Sequence, residues 1–229
     1  MVTTAELHDI AKKAERIFAR YGVACCLTGG VACGLYGTTR PANDVDLVVL
    51  TTAHQQEELK RILVAADPQF YLVASKDPYA TYRVLWYRLG SAYSRYAARC
   101  KVDLLVPGIM NIPDVPKKYI ETLGGLPAMP FMLLLWMKLQ ARTDHRGSPK
   151  PYMRPKQWDD VRDIDQLLDI ARRRGEMIRA KTAWMPASFV DAALARIREY
   201  IADFPASKAK WEGIGYGGRR STSRLVGVL

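Results

Sequence analysis

The stretch DVDLVVL at residues 44–50 constrains the fold more than any other, because it joins two acids to an apolar run. Branched apolar residues in such a run predict a strand buried in a sheet. Alternate residues of a strand point to the same face, so Asp44 and Asp46 lie side by side. Two carboxylates at that spacing repel each other unless a divalent cation lies between them. The stretch therefore predicts a core strand with a metal site, the alternative being a solvated strand face.

A third acid, Asp103, lies within another apolar run, KVDLLV at 101–106. An unpaired carboxylate buried there would cost several kcal/mol. If this strand lies beside 44–50, three carboxylates converge and can hold two Mg²⁺ ions, or Mn²⁺, around a triphosphate. The alternative is a buried acid paired with an arginine such as Arg83 or Arg99.

Gly29 and Gly30 follow the apolar run at 23–28, where a strand ends and a helix begins. Backbone N–H groups and the helix dipole favour a phosphate at such a place, and glycine lets it approach closely. The neighbouring Thr28 offers a hydroxyl to the same phosphate. A glycine pair is common in plain turns, so it indicates an anion site only together with the acids.

The predicted elements give an α+β fold: a mixed sheet with packed helices, followed by a C-terminal helical half. Hydrophobic periodicity and capping pairs such as Thr3 with Glu6, Thr52 with Gln55, and Ser188 with Asp191 place the helices. The predicted helices are 3–20, 31–35, 52–66, 129–143, 157–174 and 187–203; the predicted strands are 23–29, 44–50, 70–75, 82–89 and 100–108.

Prolines and glycines punctuate the chain between 107 and 130 and predict a change of organisation there. We expect a catalytic core at 1–115, a helical substrate-binding half at 116–205 and a flexible basic tail at 206–229. The tail is rich in glycine and cations, which predicts that it does not pack.

Composition favours a polyanionic partner. The chain has 34 Lys and Arg against 23 Asp and Glu, a formal charge of +11, which suits nucleic acid or a nucleoside triphosphate. The four cysteines lie in apolar surroundings without metal-ligand spacing and are expected to be reduced. With charged residues throughout 1–20 and no apolar run long enough to span a bilayer, we expect a cytoplasmic or nuclear location.

A strand, a glycine pair, a small-residue helix, two alternating acids and a later strand acid together resemble the nucleotidyltransferase superfamily with the polymerase-β-like fold. The resemblance lies in LTGGVACGLYG, Arg40, NDVDLVV and KVDLLV. It implies Asp44, Asp46 and Asp103 as catalytic metal ligands and Thr28, Gly29, Gly30 and Arg40 as nucleotide-binding residues. Many relatives carry Ser or Thr beside the glycines, whereas Val31 follows them here.

The helical half resembles the AbiEii/AbiGii-toxin type of nucleotidyltransferase in LLLWMKLQARTD and RPKQWDDVRDIDQLL. The match spans 23–50, 100–106 and 132–168. It places Lys138 on the family's lysine, Arg142 on its arginine, and Asp160 and Asp163 on its helical acids, and it implies Lys138, Asp160 and Asp163 as nucleotide-binding residues. It also implies an RNA acceptor, with a tRNA 3′ end as one candidate, and a neutralising protein partner.

Each of these residues also has a structural interpretation. Lys138 could extend to water rather than into the cleft, and Arg40 could cap a helix or form a salt bridge. Asp160 and Asp163 share a helix face and could pair with Arg162 or Lys156. The three histidines are scattered, which argues against a histidine metal site or base.

Two further segments have both a structural and a ligand-binding interpretation. Within 81–96 the aromatic residues are mostly explained by strand packing, and alternation leaves at most one aromatic face for a ligand. The basic loop at 141–158, with Tyr152 and Trp158 among its cations, could follow a nucleic-acid backbone or be a solvated loop.

The predicted activity is transfer of a nucleoside monophosphate from an NTP to an acceptor hydroxyl, with RNA as the preferred acceptor. The alternatives are a small-molecule nucleotidyltransferase of the aminoglycoside type and a non-catalytic nucleotide-binding member of the fold. A charge of +11 favours RNA over a cationic small molecule.

Overall fold

A computed structural model describes residues 2–76, 79–90 and 98–217. In chain order the elements are α1 (Thr4–Arg20), β1 (Ala24–Thr28), α2 (Gly29–Tyr36), β2 (Asp44–Leu50), α3 (Gln56–Ala66), β3 (Phe70–Ala74), β4 (Arg83–Arg88), β5 (Arg99–Leu105), β6 (Glu121–Leu123), β7 (Leu126–Ala128), α4 (Phe131–Arg146), α5 (Gln157–Arg174), α6 (Ile178–Thr182), α7 (Ala187–Asp203) and α8 (Lys208–Gly213). Short 3₁₀ turns occupy 109–111, 117–119, 151–156 and 205–207.

The strands form one seven-stranded mixed sheet in the order β3-β4-β5-β2-β1-β7-β6. The pairs β2 with β5 and β1 with β7 are parallel, and the others are antiparallel. The α+β fold class with a mixed sheet and packed helices is confirmed. The predicted adjacency of the two acid-bearing strands is also confirmed, since β2 and β5 lie side by side.

Alternation along β4 and β5 separates a core face from an open face. Leu85, Tyr87, Cys100 and Val102 are buried, whereas the residues between them are partly exposed. On the core face, α1 and α3 pack against the sheet, with α1 fixed at its start by the expected Thr3 and Glu6 capping box. All four cysteines are free and buried, as expected of reduced core thiols.

The helices after β7 pack around α4, which is buried along most of its length and contacts α5 and α7. Helices α5 and α7 have the predicted bounds. Two predicted caps are wrong. Helix α3 begins only at Gln56 after Gln55, and α7 begins after Pro186, in both cases without a side-chain cap.

The β6–β7 hairpin was not predicted, and it places a segment beyond residue 115 in the central sheet. Its turn is Gly124 and Gly125, both in the left-handed region with φ of 56° and 74°. A two-glycine turn between short strands is a known hairpin signal. The division of the chain into a core and a helical half stays a prediction.

The expectation of a flexible tail is wrong for residues 208–217. This stretch forms α8 and the turn after it, and Trp211 and Ile214 are fully buried there. Lys210 also contacts Asp165 and Asp169 on α5, at 2.6 and 2.9 Å. The expectation for 218–229 concerns residues outside the described part of the chain. The burial of these two apolar side chains therefore fixes the segment, although its glycine-rich composition predicted that it would not pack.

None of the helices in the described residues combines the length and apolar character that a bilayer crossing requires.

Candidate metal and nucleotide site

Three carboxylates meet on the open face of the sheet. The parallel register places Asp46 directly beside Asp103 and Asp44 beside Lys101. One carboxylate oxygen from each of Asp44, Asp46 and Asp103 lies within 4.8 Å of the others. The convergence predicted from two distant segments of the chain is therefore present, because β2 and β5 run in parallel without a register shift.

Gly29 makes room for this cluster. It follows β1, where Thr28 pairs with Asp46 across the antiparallel ladder. A Cβ on Gly29 would lie 1.9 Å from the Asp46 Oδ2 atom, and the backbone φ of +62° is unfavourable for other residues. Gly30 packs closely as well, since its Cβ would lie 3.0 Å from the Ala42 side chain. The glycine pair thus serves close packing around an acid, besides starting α2.

Thr28 is buried, and its hydroxyl lies 3.5 Å from the Met129 sulfur, to which it donates. The structure thus gives this hydroxyl a partner other than a phosphate. The backbone N–H groups at the start of α2 are the candidate anion donors of this segment, because the first N–H groups of a helix have no intrahelical acceptor.

The electrostatics of the triad are unfavourable without a cation. Burial first, and then the charges of Asp44 and Asp103, raise the pKa of Asp46 to about 7 against the opposing influence of Lys138 and Lys101. Like charges in a partly buried cluster disfavour simultaneous ionisation. Asp46 is thus strained electrostatically in the isolated protein, and a divalent cation would remove that strain.

Lys101 is a member of this cluster that the sequence reasoning missed. Its Nζ atom lies 2.5 Å from the Asp103 Oδ2 atom. The expected alternative partners of Asp103, Arg83 and Arg99, do not fill this role. The sequence could have predicted this contact, because residues 101 and 103 of one strand must share a face. Lys101 supplies one positive charge against three carboxylates, so the cluster keeps a negative excess.

The donor set fits a hard divalent cation. All three side chains offer carboxylate oxygens, which Mg²⁺ and Mn²⁺ prefer, and no soft ligand takes part. The absence of a Cβ on Gly29 leaves room for the Asp46 carboxylate, and burial with two neighbouring acids raises the pKa of that carboxyl group, a shift that a bound cation would oppose. The residues present therefore suit the metal that the nucleotidyltransferase resemblance implies.

A second group of acids lies between the sheet and the helical half, and it is fully paired. Arg40, after α2, donates two hydrogen bonds to Asp163 on α5, at 2.8 and 2.7 Å. Lys138 on α4 lies 2.9 Å from the same carboxylate. Asp163 is almost completely buried. Although burial acts to raise its pKa, Arg40 and Lys138 outweigh that and lower it.

Asp160 completes this buried ion network. Lys138 lies 3.5 Å from its Oδ1 atom, and the His145 Nδ1 atom lies 2.6 Å from its Oδ2 atom. Burial raises the pKa of Asp160, while Lys138 and His145 oppose the shift. The expected partners of the two helical acids are wrong: Arg162 pairs with the exposed Asp159 instead. One of the scattered histidines therefore has a structural partner.

The structure shows Arg40 in a salt bridge, which is one of its two expected roles. Lys138 was expected to extend either to water or into the cleft, and neither description fits it fully. Lys138 is buried and does not extend to water. It is close enough to lower the pKa of Asp46 and at the same time contacts Asp163. Lys138 thus connects the acid triad on the sheet to the buried ion network on the helices.

Arg142 lies elsewhere. It is buried and pairs with Asp203 at the end of α7, at 2.5 Å, and its guanidinium lies over Tyr200 and Phe204. This residue fastens α7 to α4. The structure thus brings together Asp44, Asp46, Asp103, Gly29 and Lys138, and sets Arg142 apart from them.

No protein-family model matches the sequence, and no curated protein does so either. Solved structures do match. A nucleotidyltransferase-like antigenic protein from Paracoccidioides brasiliensis aligns with a TM-score of 0.65 at 15% identity, covering 93% of this chain and 94% of its own. JHP933 from Helicobacter pylori aligns with a TM-score of 0.53 at 13% identity, covering 91% and 78%.

The antibiotic-resistance factor ANT(2'')-Ia aligns with a TM-score of 0.45 at 12% identity, covering 90% and 97%, which is too low to bear on the argument. At these identities the likenesses concern the fold alone. The alignment with the Paracoccidioides brasiliensis protein shows that the chain shares the fold of a nucleotidyltransferase-like protein. The narrower AbiEii/AbiGii-toxin resemblance rests on its motif residues.

Proposed function

We propose that the protein is a metal-dependent nucleotidyltransferase. It transfers a nucleoside monophosphate from an NTP to an acceptor hydroxyl and releases pyrophosphate. The observation that carries the proposal is the convergence of three carboxylates within 4.8 Å beside the start of α2, on a nucleotidyltransferase-like fold. Fold alone would not carry it, because one fold hosts many activities.

Asp44, Asp46 and Asp103 hold the metal in this proposal, as two Mg²⁺ ions with Mn²⁺ as the substitute. When bound, the ions neutralise the triphosphate and polarise the phosphoryl group under attack. The backbone N–H groups that begin α2 donate to a phosphate oxygen, and Gly29 lets the Asp46 carboxylate lie close to this helix start. Lys138, next to the triad, adds positive charge there, provided that it leaves or shares its contact with Asp163.

Asp103 has the further role of accepting the proton of the acceptor hydroxyl. The acceptor oxygen forms a bond to the α-phosphorus, and the bond from that phosphorus to the bridging oxygen of the pyrophosphate breaks. Lys101 lies 2.5 Å from Asp103 and keeps its carboxylate in one orientation. A base must lie within hydrogen-bond reach of the proton it takes. The open face of the sheet leaves Asp103 partly exposed for that contact.

Arg40, Asp160 and Asp163 position Lys138 rather than contact the nucleotide. Their hydrogen bonds to one another satisfy the buried charges and fix α5 against α2. Buried ion groups are stable only when each charge has a partner of this kind. This is a change from the direct nucleotide contacts that the resemblance implies for these three residues.

For the acceptor, the basic character of the chain supports RNA. A cationic small molecule of the aminoglycoside type would be repelled by the same charge. The salt dependence of acceptor binding separates the two, since RNA affinity falls steeply with ionic strength.

The test is incorporation of each α-labelled NTP into total RNA with Mg²⁺ or Mn²⁺, compared between the wild type, Asp46→Asn and the matched control Asp191→Asn. Asp191 is an exposed aspartate on α7. We expect incorporation by the wild type and by the control and none by Asp46→Asn. Undiminished incorporation by Asp46→Asn would refute the site. Calorimetric binding of NTP and Mg²⁺ by a wild type that incorporates nothing would identify the non-catalytic alternative.

A further inference from the structure

The open face of the sheet continues from the acid triad toward the β3 edge. On β5, Arg99 and Lys101 share the face of Asp103. On β4, Trp86 lies on that face, because it pairs with Lys101 while its neighbours are buried. On β3, Val73 is 39% exposed. A strip of partly exposed side chains therefore leads away from Asp103.

This strip forms the floor of a groove of about 410 Å³. The opposite wall comes from the segment between α4 and α5, with Lys150 and Tyr152. Asp103 lies at one end, so the groove and the candidate metal site are continuous. A volume of this size is in the range of ligand-binding clefts.

Positive charges predominate in the lining of the groove. Its described lining includes one acid, Asp103, and six cations: Lys60, Lys76, Arg83, Arg99, Lys101 and Lys150. Two of these are held by neighbours, since Lys60 pairs with Glu57 and Lys101 with Asp103. The other four are exposed. Such a surface attracts a polyanion and repels a cationic acceptor.

Aromatic rings accompany these cations. Tyr82 is 54% exposed and Tyr152 is 69% exposed, and both line the groove. Trp86 lies in the floor, with the Arg99 guanidinium 4.8 Å from its ring centroid. Rings and guanidinium planes are the surfaces on which unpaired bases stack, while the cations bind the phosphates between them.

We propose that this groove binds the end of a single-stranded nucleic acid and presents its terminal hydroxyl to Asp103. The placement of the hydroxyl rests on the proposed nucleotide transfer, whereas binding of the strand rests on the groove itself. A polyanion without bases, such as an acidic peptide, would use the cations but leave the three aromatic rings unexplained. A duplex would hide its bases from them.

The test measures binding of a short, fluorescein-labelled single-stranded RNA by fluorescence anisotropy, without NTP or Mg²⁺, over a salt series. Four variants are compared: Tyr152→Ala, Tyr152→Phe, Arg99→Glu and Arg198→Glu. Arg198 is an exposed arginine of α7 outside the groove lining, and it serves as the matched control for charge reversal. Tyr152→Phe keeps the ring and is the matched control for stacking.

We expect Tyr152→Ala to raise the Kd by roughly 5- to 150-fold, the range for loss of one stacked base, and Tyr152→Phe to bind like the wild type. Arg99→Glu should weaken binding and reduce the slope of log K against log salt by at least about 0.7, the value for one phosphate contact on a single strand. Arg198→Glu should leave that slope unchanged or nearly so.

Wild-type affinity in both Tyr152→Ala and Arg99→Glu would overturn the proposal, as would equal competition by double-stranded RNA or displacement by an acidic peptide at the same charge concentration. The experiments distinguish failure of the groove proposal from failure of the proposed function. If the wild type binds the strand through the groove but incorporates no nucleotide, the groove proposal stands and nucleotide transfer is refuted. If both groove variants incorporate nucleotide into RNA normally, nucleotide transfer stands and the groove proposal is refuted.

Discussion

Two clusters of aspartates lie near each other in this protein and differ in how many positively charged partners their carboxylates have. In the acid triad of Asp44, Asp46 and Asp103, Lys101 pairs with one of the three carboxylates, and burial and the other two acids raise the pKa of Asp46 to about 7 although Lys138 and Lys101 oppose the shift. In the buried ion network, Asp160 and Asp163 are opposed by Arg40 and Lys138, with His145 as a further partner. There the pKa of Asp163 is lowered in spite of its burial.

The difference separates a structural role from a binding role. A buried acid that carries its own counter-charges stabilises the packing of the elements that supply them, here α2, α4 and α5. An acid cluster without enough counter-charge destabilises the isolated fold and is retained where a ligand supplies the missing charge. Lys138 contacts Asp160 and Asp163 in the buried ion network and lowers the pKa of Asp46 in the triad, so it couples the two clusters.

The largest expected effect comes from the triad. Asp46→Asn should lower nucleotide incorporation by at least about 100-fold, because a metal ligand of the proposed site is lost. The free energy of unfolding of the metal-free variant should equal or exceed that of the wild type, because a like charge is removed. Incorporation and urea unfolding are measured on the same preparations. A large loss of stability in Asp46→Asn would show that the triad is structural, like the buried ion network.

The reverse result is expected in the buried ion network. Asp163→Ala leaves Arg40 without its carboxylate partner and Lys138 with the longer contact to Asp160 alone, and it should reduce the free energy of unfolding by about 3–5 kcal/mol. The matched control is Asp159→Ala on the same helix, which removes an exposed pair with Arg162 and should cost at most about 1 kcal/mol. Urea unfolding gives both values. Equal costs for the two variants would contradict the structural role of Asp163.

Gly29→Ala should change both the stability of the protein and its affinity for Mg²⁺. The added Cβ would meet the Asp46 carboxylate at 1.9 Å, and φ is +62°, so we expect a loss of about 1–3 kcal/mol in stability and weaker Mg²⁺ binding. Gly34→Ala, in the same helix, meets nothing within 4 Å and should stabilise the protein by about 0.4–1 kcal/mol. Thermal unfolding and Mg²⁺ calorimetry distinguish them. Unchanged Mg²⁺ affinity in Gly29→Ala would exclude Asp46 as a ligand.

The smallest expected effect is a pH dependence of opposite sign for Asp46 in the triad and Asp163 in the buried ion network. The pKa of Asp46 is about 7 in the folded protein against an ordinary 3.8, so the folded state holds the extra proton between these values. The stability of the metal-free protein should therefore fall as pH rises from about 4 to about 7, by on the order of 1 kcal/mol for a partly exposed group.

Asp163 acts the other way, because its pKa is lowered: its contribution is present above pH 3.8 and is lost as pH falls below that value. Chemical denaturation at a series of pH values measures both. Saturating Mg²⁺, or Asp46→Asn, should reduce the slope between pH 4 and 7, leaving the smaller part that the raised pKa of Asp160 contributes. An unchanged slope in Asp46→Asn would assign it to another group.

Local patterns predicted much of the fold. Helices α5 and α7 have the predicted bounds, because an amphipathic period over several turns is a signal that does not depend on distant residues. The short β6–β7 hairpin was missed despite its Gly124 and Gly125 turn, since three-residue strands give little periodicity. The burial of Trp211 was missed because composition describes a segment's average and not one anchoring side chain.

At the candidate site, the sequence by itself determined which residues carry the acids and the glycines. Alternation along a strand fixes Asp44 with Asp46, and Lys101 with Asp103, on shared faces, because a side chain's direction follows from the backbone alone. The partners of Lys138, Arg40, Asp160 and Asp163 were decided only by tertiary structure. Charge pairing depends on the distance between side chains far apart in the chain, and packing of α4 and α5 against the sheet sets that distance.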